Sequence, residues 1–193
     1  MSNARHRFLD ELAERFASHG AEPYGESVSQ AEHALQCATL AERAGCADSL
    51  VIAALLHDIG HLYEDPATIE RRDLRHEEFG AHLLRDLLPE AVWQPVRLHV
   101  AAKRYLCAVD PSYQASLSPA SRHSLSLQGG AFEESAAQAF LTAPYAQDAI
   151  TLRRLDDLSK DPAMRTPELP YFFPLLERLL RIDRHQTQLR PAS

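Results

Sequence analysis

The sequence predicts an all-α protein organised as one domain, and three observations carry that expectation. Apolar residues recur with helical spacing over most of the chain. No strand–turn–strand signal is present, and there is neither an internal repeat nor a low-complexity tract. At 193 residues the chain suits a single helical bundle, large enough to bury a core and enclose a pocket.

Taken in order, the segment 3–18 reads as an amphipathic helix whose acidic residues set it apart from a signal or transit peptide. A cytoplasmic location is therefore expected. Ser29-x-x-Glu32 is a capping-box signal, after which His33, Cys37, Leu40 and Ala44 share one face until Gly45 closes the helix. Asp48 stands where it can cap SLVIAALL, a helix apolar on every side and hence bound for the core. A strand is the competing reading of VIAALL, but its alanines and leucines favour helix. The polar stretch 60–73, with Pro66, reads as a loop. Helical patterns resume over 76–87 and about 91–107, and Asp110-Pro111, Ser118-Pro119 and Gly129-Gly130 mark turns. The segment 131–147 reads either as a lid or as a plain surface helix. A helix over about 146–159 precedes a link extended by Pro162, Pro167 and Pro170. A final helix over about 171–182 and a tail from Arg184 complete a domain spanning 1–193, with its core at about 25–160.

Composition narrows the function classes. Hydrophobic residues make up 45% and charged residues 24% of the chain, an ordinary globular balance. No run of about 18 apolar residues exists, so no membrane span is expected. The net charge of −7 argues against nucleic acid as a partner, because a phosphate backbone rewards clustered Lys and Arg. A small anionic substrate stays compatible, since a few basic side chains in one pocket override the global charge. Cys37, Cys46 and Cys107 have no CxxC spacing and read as reduced thiols packed like small apolar residues. Ten histidines are the unusual feature, and they direct attention to metals.

His57-Asp58 ends the buried apolar helix. Alone, such a pair is usually a satisfied structural contact. Its context differs: His33 lies one helix upstream on the apolar face, Asp156 lies on a late helix, and His76 and His99 occupy separate helices between them. Imidazole and carboxylate suit metals such as iron, and helices from different parts of a chain can project ligands into one cavity. Four histidines and two aspartates suffice for two metals when Asp58 bridges them. Positions are then left for substrate and for oxygen or a water nucleophile. His61 either hydrogen-bonds a ligand or contacts substrate. His6, His19, His82, His123 and His185 read as surface residues.

These residues carry a resemblance. The pattern H…HD…D, here His33, His57-Asp58 and Asp156, resembles the HD superfamily, mostly metal-dependent phosphohydrolases, and HDIGH (57–61) is a form common within it. A more specific likeness lies in GESVSQAEHALQCA (25–38), AALLHDIGH (53–61), HVAAKRYL (99–106) and SLQGG (126–130). Over roughly 25–160 the chain resembles the 2-amino-1-hydroxyethylphosphonate dioxygenase family, which cleaves carbon–phosphorus bonds with O2 at a mixed-valent di-iron site. Myo-inositol oxygenase is a more distant relative with shared chemistry. The resemblance implies two irons, Fe(II) and Fe(III), held by His33, His57, Asp58, His76, His99 and Asp156, with Asp58 bridging. It also implies that Lys103 binds the phosphonate, that Ser121, Gln128 and Arg153 line the phosphonate end, and that Glu26 faces the substrate amine.

Helical spacing agrees for the two cations. Lys103 is four residues after His99 and Arg153 three before Asp156, so each shares a face with a proposed ligand. Either alone would read as a solvated surface charge; the pair beside a metal suits an anion. Ser121 and Gln128, seven apart, would lie two turns apart on one helix face. Two departures stand out. The family carries a tyrosine three residues before the glutamate, where it ligates iron until substrate displaces it. Here Pro23 holds that offset and Tyr24 is one place nearer, so either the loop shifts to let Tyr24 act as the gate, or the gate is absent. Leu155 stands where the family can carry an aromatic residue.

The implied activity is O2-dependent cleavage of a 1-hydroxy-2-aminoethylphosphonate-type substrate in organophosphonate catabolism. Its products would be phosphate and glycine, or glycine betaine from the trimethylammonium analogue. A trimethylated head prefers aromatic surroundings, to which Tyr24, Tyr63 and Tyr105 are the candidates. The competing class is an HD phosphohydrolase acting on a nucleotide or phosphate ester with a metal-bound hydroxide. The His99-x-x-x-Lys103 element favours the oxygenase, and the presence of all six candidate ligands argues against a decayed, non-catalytic module.

Overall fold

The computed structural model describes residues 2–22, 27–63 and 75–181. Ten α-helices run through them: α1 (Ser2–His19), α2 (Gln30–Arg43), α3 (Asp48–Leu56), α4 (His76–Leu84), α5 (Glu90–Val109), α6 (Pro111–Ser116), α7 (Pro119–Leu127), α8 (Glu134–Leu141), α9 (Ala146–Leu158) and α10 (Phe173–Leu179). Short 3₁₀ turns cover Ile59–Tyr63 and Leu169–Phe172, and no strand occurs among the described residues. The protein is all-α.

α3 is the axis of the bundle. Every residue from Leu50 to Leu56 is buried, and a helix apolar on all sides can satisfy itself only in the interior. α2, α5, α9 and α10 pack around it. Leu12 of α1, Leu84 of α4, Val92 and Val96 of α5, Leu152 of α9 and Leu176 of α10 join the same core. Each fully buried aliphatic side chain there contributes about 1.5–3 kcal/mol. α2 begins with the capping box its sequence announces: Ser29 Oγ accepts from the Glu32 N–H at 3.3 Å, and Glu32 Oε2 accepts from the Ser29 N–H at 2.7 Å. It ends at Gly45, whose φ of +70° a side chain would strain.

Some boundaries differ from the sequence reading. Asp48 does not cap α3. Ala47 holds the N-cap position, and Asp48 lies in the first turn, where it meets the positive end of the helix dipole and pairs with Arg178 of α10 at 3.2 Å. Asp110-Pro111 and Ser118-Pro119 are helix starts rather than turns. Asp110 Oδ1 accepts from the N–H groups of Ser112 and Tyr113, and Ser118 Oγ from that of Ser121, with each proline in the first turn that follows. A capping side chain followed by proline serves a helix entry as readily as a turn. The segment 131–147 contains α8, which buries Phe140 against α5 and α9. α4 ends at Leu84, and α10 stops at Leu179 after a 3₁₀ entry. Most of the expected 60–73 loop, together with Tyr24, Glu26 and the expected tail, lies outside the described residues.

No helix among the described residues is long and apolar enough to cross a membrane. Cys37, Cys46 and Cys107 are free thiols.

Candidate metal centre and anion pocket

Six side chains from five parts of the chain converge at the middle of the bundle. They are His33 on α2, His57 and Asp58 at the end of α3, His76 opening α4, His99 on α5 and Asp156 on α9, none more than 8% exposed. Asp58 lies between two groups. Its Oδ2 is 3.4 Å from His57 Nε2 and 3.8 Å from His33 Nε2, while its Oδ1 is 3.3 Å from His76 Nε2 and 3.6 Å from His99 Nε2. Asp156 adds Oδ1 at 3.4 Å from His33 Nε2 and Oδ2 at 3.9 Å from His57 Nε2. The ligand atoms of His33, His57 and Asp58 all lie within 4.8 Å of one another, as do those of Asp58, His76 and His99. Each trio could hold a metal ion, and Asp58 is common to both.

Hydrogen bonding prepares the imidazoles for this. His33 Nδ1 meets the Ser159 carbonyl at 2.8 Å, His57 Nδ1 that of Ala54 at 2.9 Å, and His99 Nδ1 that of Val96 at 2.7 Å. A carbonyl only accepts, so each Nδ1 carries a hydrogen, and Nε2 is the nitrogen left to turn a lone pair toward a metal. Yet the Nε2 atoms of His33 and His57 are 3.1 Å apart, and those of His76 and His99 3.2 Å. Ring nitrogens held that close need positive charge between them, a shared proton or a metal ion. Asp58 Oδ2 and Asp156 Oδ1 are buried without a hydrogen-bond partner, an expensive arrangement unless positive charge fills the gap. The donor set and its orphaned oxygens fit a metal.

The electrostatics point the same way. Burial opposes ionisation of Asp58, but His57 and His76 outweigh it and hold the carboxyl well below its usual range. Burial opposes Asp156 likewise, and Arg153 with His33 overturns it. Burial would lower His57, but Asp58 and then Asp156 hold it up at about 9. His99 goes the other way, driven well down by burial and by its neighbour His76.

Local sequence explains the placement. After α3 the chain tightens into the 3₁₀ turn, where Gly60 passes so near α4 that a Cβ would sit 2.3 Å from the His76 carbonyl oxygen. Only glycine lets α4 approach that closely and deliver His76. Gln36, one turn beyond His33, grips residue 161 in both directions. Its Nε2 donates to the Asp161 carbonyl at 2.8 Å, and its Oε1 accepts from the Asp161 N–H at 3.1 Å. That clasp sets the end of α9, and so the Ser159 carbonyl, against His33. His61 is half-buried and stacks on His76 with ring centroids 4.1 Å apart.

One turn from the ligands lies a cluster of cations. Lys103 is 3% exposed and its Nζ donates to Ser124 Oγ at 2.8 Å; no carboxylate pairs with it among the described residues. Burial, and then the Arg153 charge, push its pKa down to about 8. Arg153 is buried and heavily engaged. Nη1 donates to Asp156 Oδ2 at 2.6 Å, Nε to the Tyr113 hydroxyl at 3.1 Å and Asp157 Oδ2 at 3.2 Å, and Nη2 to Ser121 Oγ at 3.5 Å and to Asp157 Oδ1. Burial opposes its charge, but Asp156 and Asp157 raise its pKa well above the ordinary value. Ser124 Oγ donates to the Ser121 carbonyl at 3.1 Å, and Lys160 Nζ reaches Ser121 Oγ at 2.9 Å.

The structure thus brings Lys103, Arg153 and Ser121 together. Gln128, directly after α7, has a buried Oε1 without a partner and lines a groove of about 500 Å³ with Arg75, Arg97 and Arg104; no described bond ties it to the cluster. Tyr63 bonds Glu11 on α1 and Tyr105 packs on Phe140, so these two tyrosines are engaged separately. Sequence reasoning missed Lys160, Ser124, Tyr113 and Asp157. Two of them carried a usable signal, since Lys160 is four residues after Asp156 and Asp157 four after Arg153.

Fold and site together define an all-helical protein whose centre has donors that could hold two metal ions around one shared aspartate. An HD domain model matches residues 31–159. The chain is 42% identical over 174 residues to [1-hydroxy-2-(trimethylamino)ethyl]phosphonate dioxygenase (glycine-betaine-forming) from Leisingera caerulea, with 88% of each chain covered. It is 40% identical over 173 residues to hydroxymethylphosphonate dioxygenase from Gimesia maris, covering 88% of this chain and 86% of the relative. Uncharacterized protein L432 of Acanthamoeba polyphaga mimivirus is 34% identical over 166 residues, covering 83% and 75%. The chain belongs to the HD-domain family, within its branch of phosphonate dioxygenases, and is accordingly an oxidoreductase rather than a phosphohydrolase.

Proposed function

We propose that the protein cleaves the C–P bond of a 1-hydroxyphosphonate with O2, at a mixed-valent di-iron centre held by His33, His57, Asp58, His76, His99 and Asp156. One observation carries the reading: Asp58 divides its carboxylate between two histidine pairs, and one helical turn from His99 stands Lys103, a buried cation with no carboxylate partner among the described residues. Four imidazoles and two carboxylates suit iron, and the uncompensated lysine suits an anionic group delivered to the metals. When bound, the irons supply Lewis acidity toward the C1 hydroxyl and the activation of O2.

The atoms balance without another reductant. The C–P and C1–H bonds break, one oxygen atom of O2 completes the carboxylate at C1, and the other completes the phosphate. The protein's own contribution is orientation, charge and dryness. Main-chain carbonyls at Ser159, Ala54 and Val96 keep hydrogen on the Nδ1 atoms of His33, His57 and His99, so their Nε2 atoms are available to metal. Lys103 donates to the phosphonate, and Ser121, Gln128 and Arg153 line that end. His61 supports His76 by stacking. On the family likeness, Glu26 faces an ammonium head and Tyr24 is the gating candidate. A core shared by α1, α3, α4, α5, α9 and α10 supports treating 1–193 as one working domain.

The relatives' names cover both a trimethylammonium and a hydroxymethyl substrate. The test therefore offers iron-loaded protein racemic 2-amino-1-hydroxyethylphosphonate, its trimethylammonium analogue and hydroxymethylphosphonate, each in air and under argon, with phosphate release as the readout. Release in air alone, from at least one of them, is expected. Equal release under argon would return the chain to hydrolytic chemistry.

A further inference from the structure

The ligand set does not explain why a glutamine is buried one turn beyond His33. Gln36 is 2% exposed and lies three residues after His33, so α2 carries both side chains on one face. A buried amide is tolerable only when its donor and its acceptor are both satisfied. Gln36 meets both needs on one residue, through the carbonyl and the N–H of Asp161. Both partners are main chain, so the contact senses where the backbone lies and not which side chain stands at 161.

The backbone held in this way is the end of α9. The helix leaves its regular path at Ser159, with φ −90° and ψ +46°, where the Ser159 N–H donates to the Asp156 carbonyl and the hydroxyl to the Leu155 carbonyl at 2.6 Å. The Ser159 carbonyl has no partner within the helix, and it accepts from His33 Nδ1 at 2.8 Å. α9 therefore meets His33 at both ring nitrogens, with the Ser159 carbonyl behind Nδ1 and Asp156 Oδ1 3.4 Å from Nε2. Asp156 and Ser159 are three residues apart, so a slide or rotation of α9 against α2 disturbs both contacts at once. The two bonds of Gln36 oppose that movement beside them. His57, Asp58, His76 and His99 are delivered by the end of α3, by α4 and by α5, outside that junction.

We propose that Gln36 is a positioning residue for the ion on the His33 side of the centre: by clasping the Asp161 main chain it fixes α9 against α2, and so holds His33 and Asp156 as one rigid pair around that ion. This rests on the two-metal reading of the site. The ion on the His76–His99 side is independent of the clasp.

The test compares wild type with Gln36→Leu, Gln36→Glu and Asp161→Ala. Leucine fills similar space without either bond, glutamate keeps the acceptor for the Asp161 N–H, and alanine at 161 leaves both main-chain partners in place. Dissociation constants for Fe(II) are measured under argon by competition with a chelator. Gln36→Leu should weaken the tighter ion by about tenfold to a hundredfold, the scale for losing a group that orients a ligand. Gln36→Glu should fall between, and Asp161→Ala should stay within about twofold of wild type. A second readout separates positioning from general loosening. In Co(II)-loaded protein the Nδ1 hydrogens of coordinated histidines give proton resonances far from all others, and those of His33, His57 and His99 are held by carbonyls. In Gln36→Leu one of these three should exchange with water faster while the other two keep their wild-type rates. Wild-type Fe(II) affinity in Gln36→Leu, or three hydrogens that exchange alike, would overturn the proposal. A wild type that binds neither metal would overturn it together with the two-metal reading. Should Gln36→Leu fail to fold, the same two measurements on Gln36→Glu decide. If Gln36→Leu weakens the tighter ion while wild type turns over no hydroxyphosphonate, the Gln36 assignment stands and the dioxygenase reading falls. If wild type turns over normally and Gln36→Leu keeps its metal affinity, the dioxygenase reading stands and the Gln36 assignment falls.

Discussion

The two halves of the metal centre share one aspartate and little else. On the His33–His57 side both imidazoles are fully buried, both Nδ1 atoms are held by main chain, and Asp156 adds a second carboxylate that Arg153 anchors. On the His76–His99 side the two Nε2 atoms meet one carboxylate oxygen, Asp58 Oδ1, while His99 Nδ1 is held by the Val96 carbonyl and His76 Nδ1 lies 3.7 Å from Glu77 Oε2 instead of on main chain. His76 opens its helix, follows Arg75 in the left-handed region at φ +52°, and leans on the half-buried ring of His61. His33 and Asp156 lie within helices and a clasped helix end sets the carbonyl behind His33; on the other side His99 lies within α5, but His76 depends on a helix start and a glycine contact. On the proposed two-iron reading, four protein groups would hold one ion and three the other, so the His76 half would have more of its coordination sphere to lend to substrate and oxygen.

That contrast can be broken or sharpened by substitution. Asp58→Ala removes the one group common to both halves. Phosphate release should fall by about a thousandfold or more, with a matching loss of iron by elemental analysis; retention of both ions would end the bridging assignment. Next in size is an asymmetry between single histidine variants. His76→Ala should still bind about one iron per chain, whereas His57→Ala, which strips the better-built half, should bind almost none. Equal losses in the two variants would flatten the comparison.

The halves also answer differently to pH from the pocket beside them. His57 is held at about 9, so below that pH protons compete with iron. Apparent iron affinity should climb as pH rises toward 9, by at most about tenfold per unit. Lys103 is held at about 8 and is charged only below it. KM should therefore rise as pH passes upward through about 8, approaching tenfold per unit, and Lys103→Met should show a high KM without that slope. The smallest expected effect is at Arg153. Tyr113→Phe deletes the hydroxyl shared by Arg153 and Asp157, costing about 0.5–1.5 kcal/mol of stability in denaturant unfolding and raising KM by no more than about threefold.

Much of this site is legible in the sequence because helices turn spacing into geometry. SLVIAALL must be buried, so the His57-Asp58 that ends it must be buried too. His33 on an apolar face, and Lys103 a turn from His99, follow from the same periodicity. What escapes is set by contacts between distant segments. The Gln36 clasp on Asp161 joins residues 125 positions apart and decides where the Ser159 carbonyl lies, yet nothing local marks it. Gly60 reads as part of a motif, while its purpose is the approach of His76 sixteen residues later. Asp110 and Ser118 carry signals that serve turn and helix cap alike, and only packing chooses between them. Lys160 is the instructive omission: the spacing that singles out Lys103 applies to it equally, but Pro162 and the end of the helix draw attention away.

The most direct test of a bridged two-ion centre is anomalous diffraction at the iron edge, from crystals of protein loaded under argon. A shared Asp58 requires two peaks, one among His33, His57, Asp156 and Asp58 Oδ2, the other among His76, His99 and Asp58 Oδ1. A single peak, or two peaks with Asp58 bound to only one of them, would contradict it.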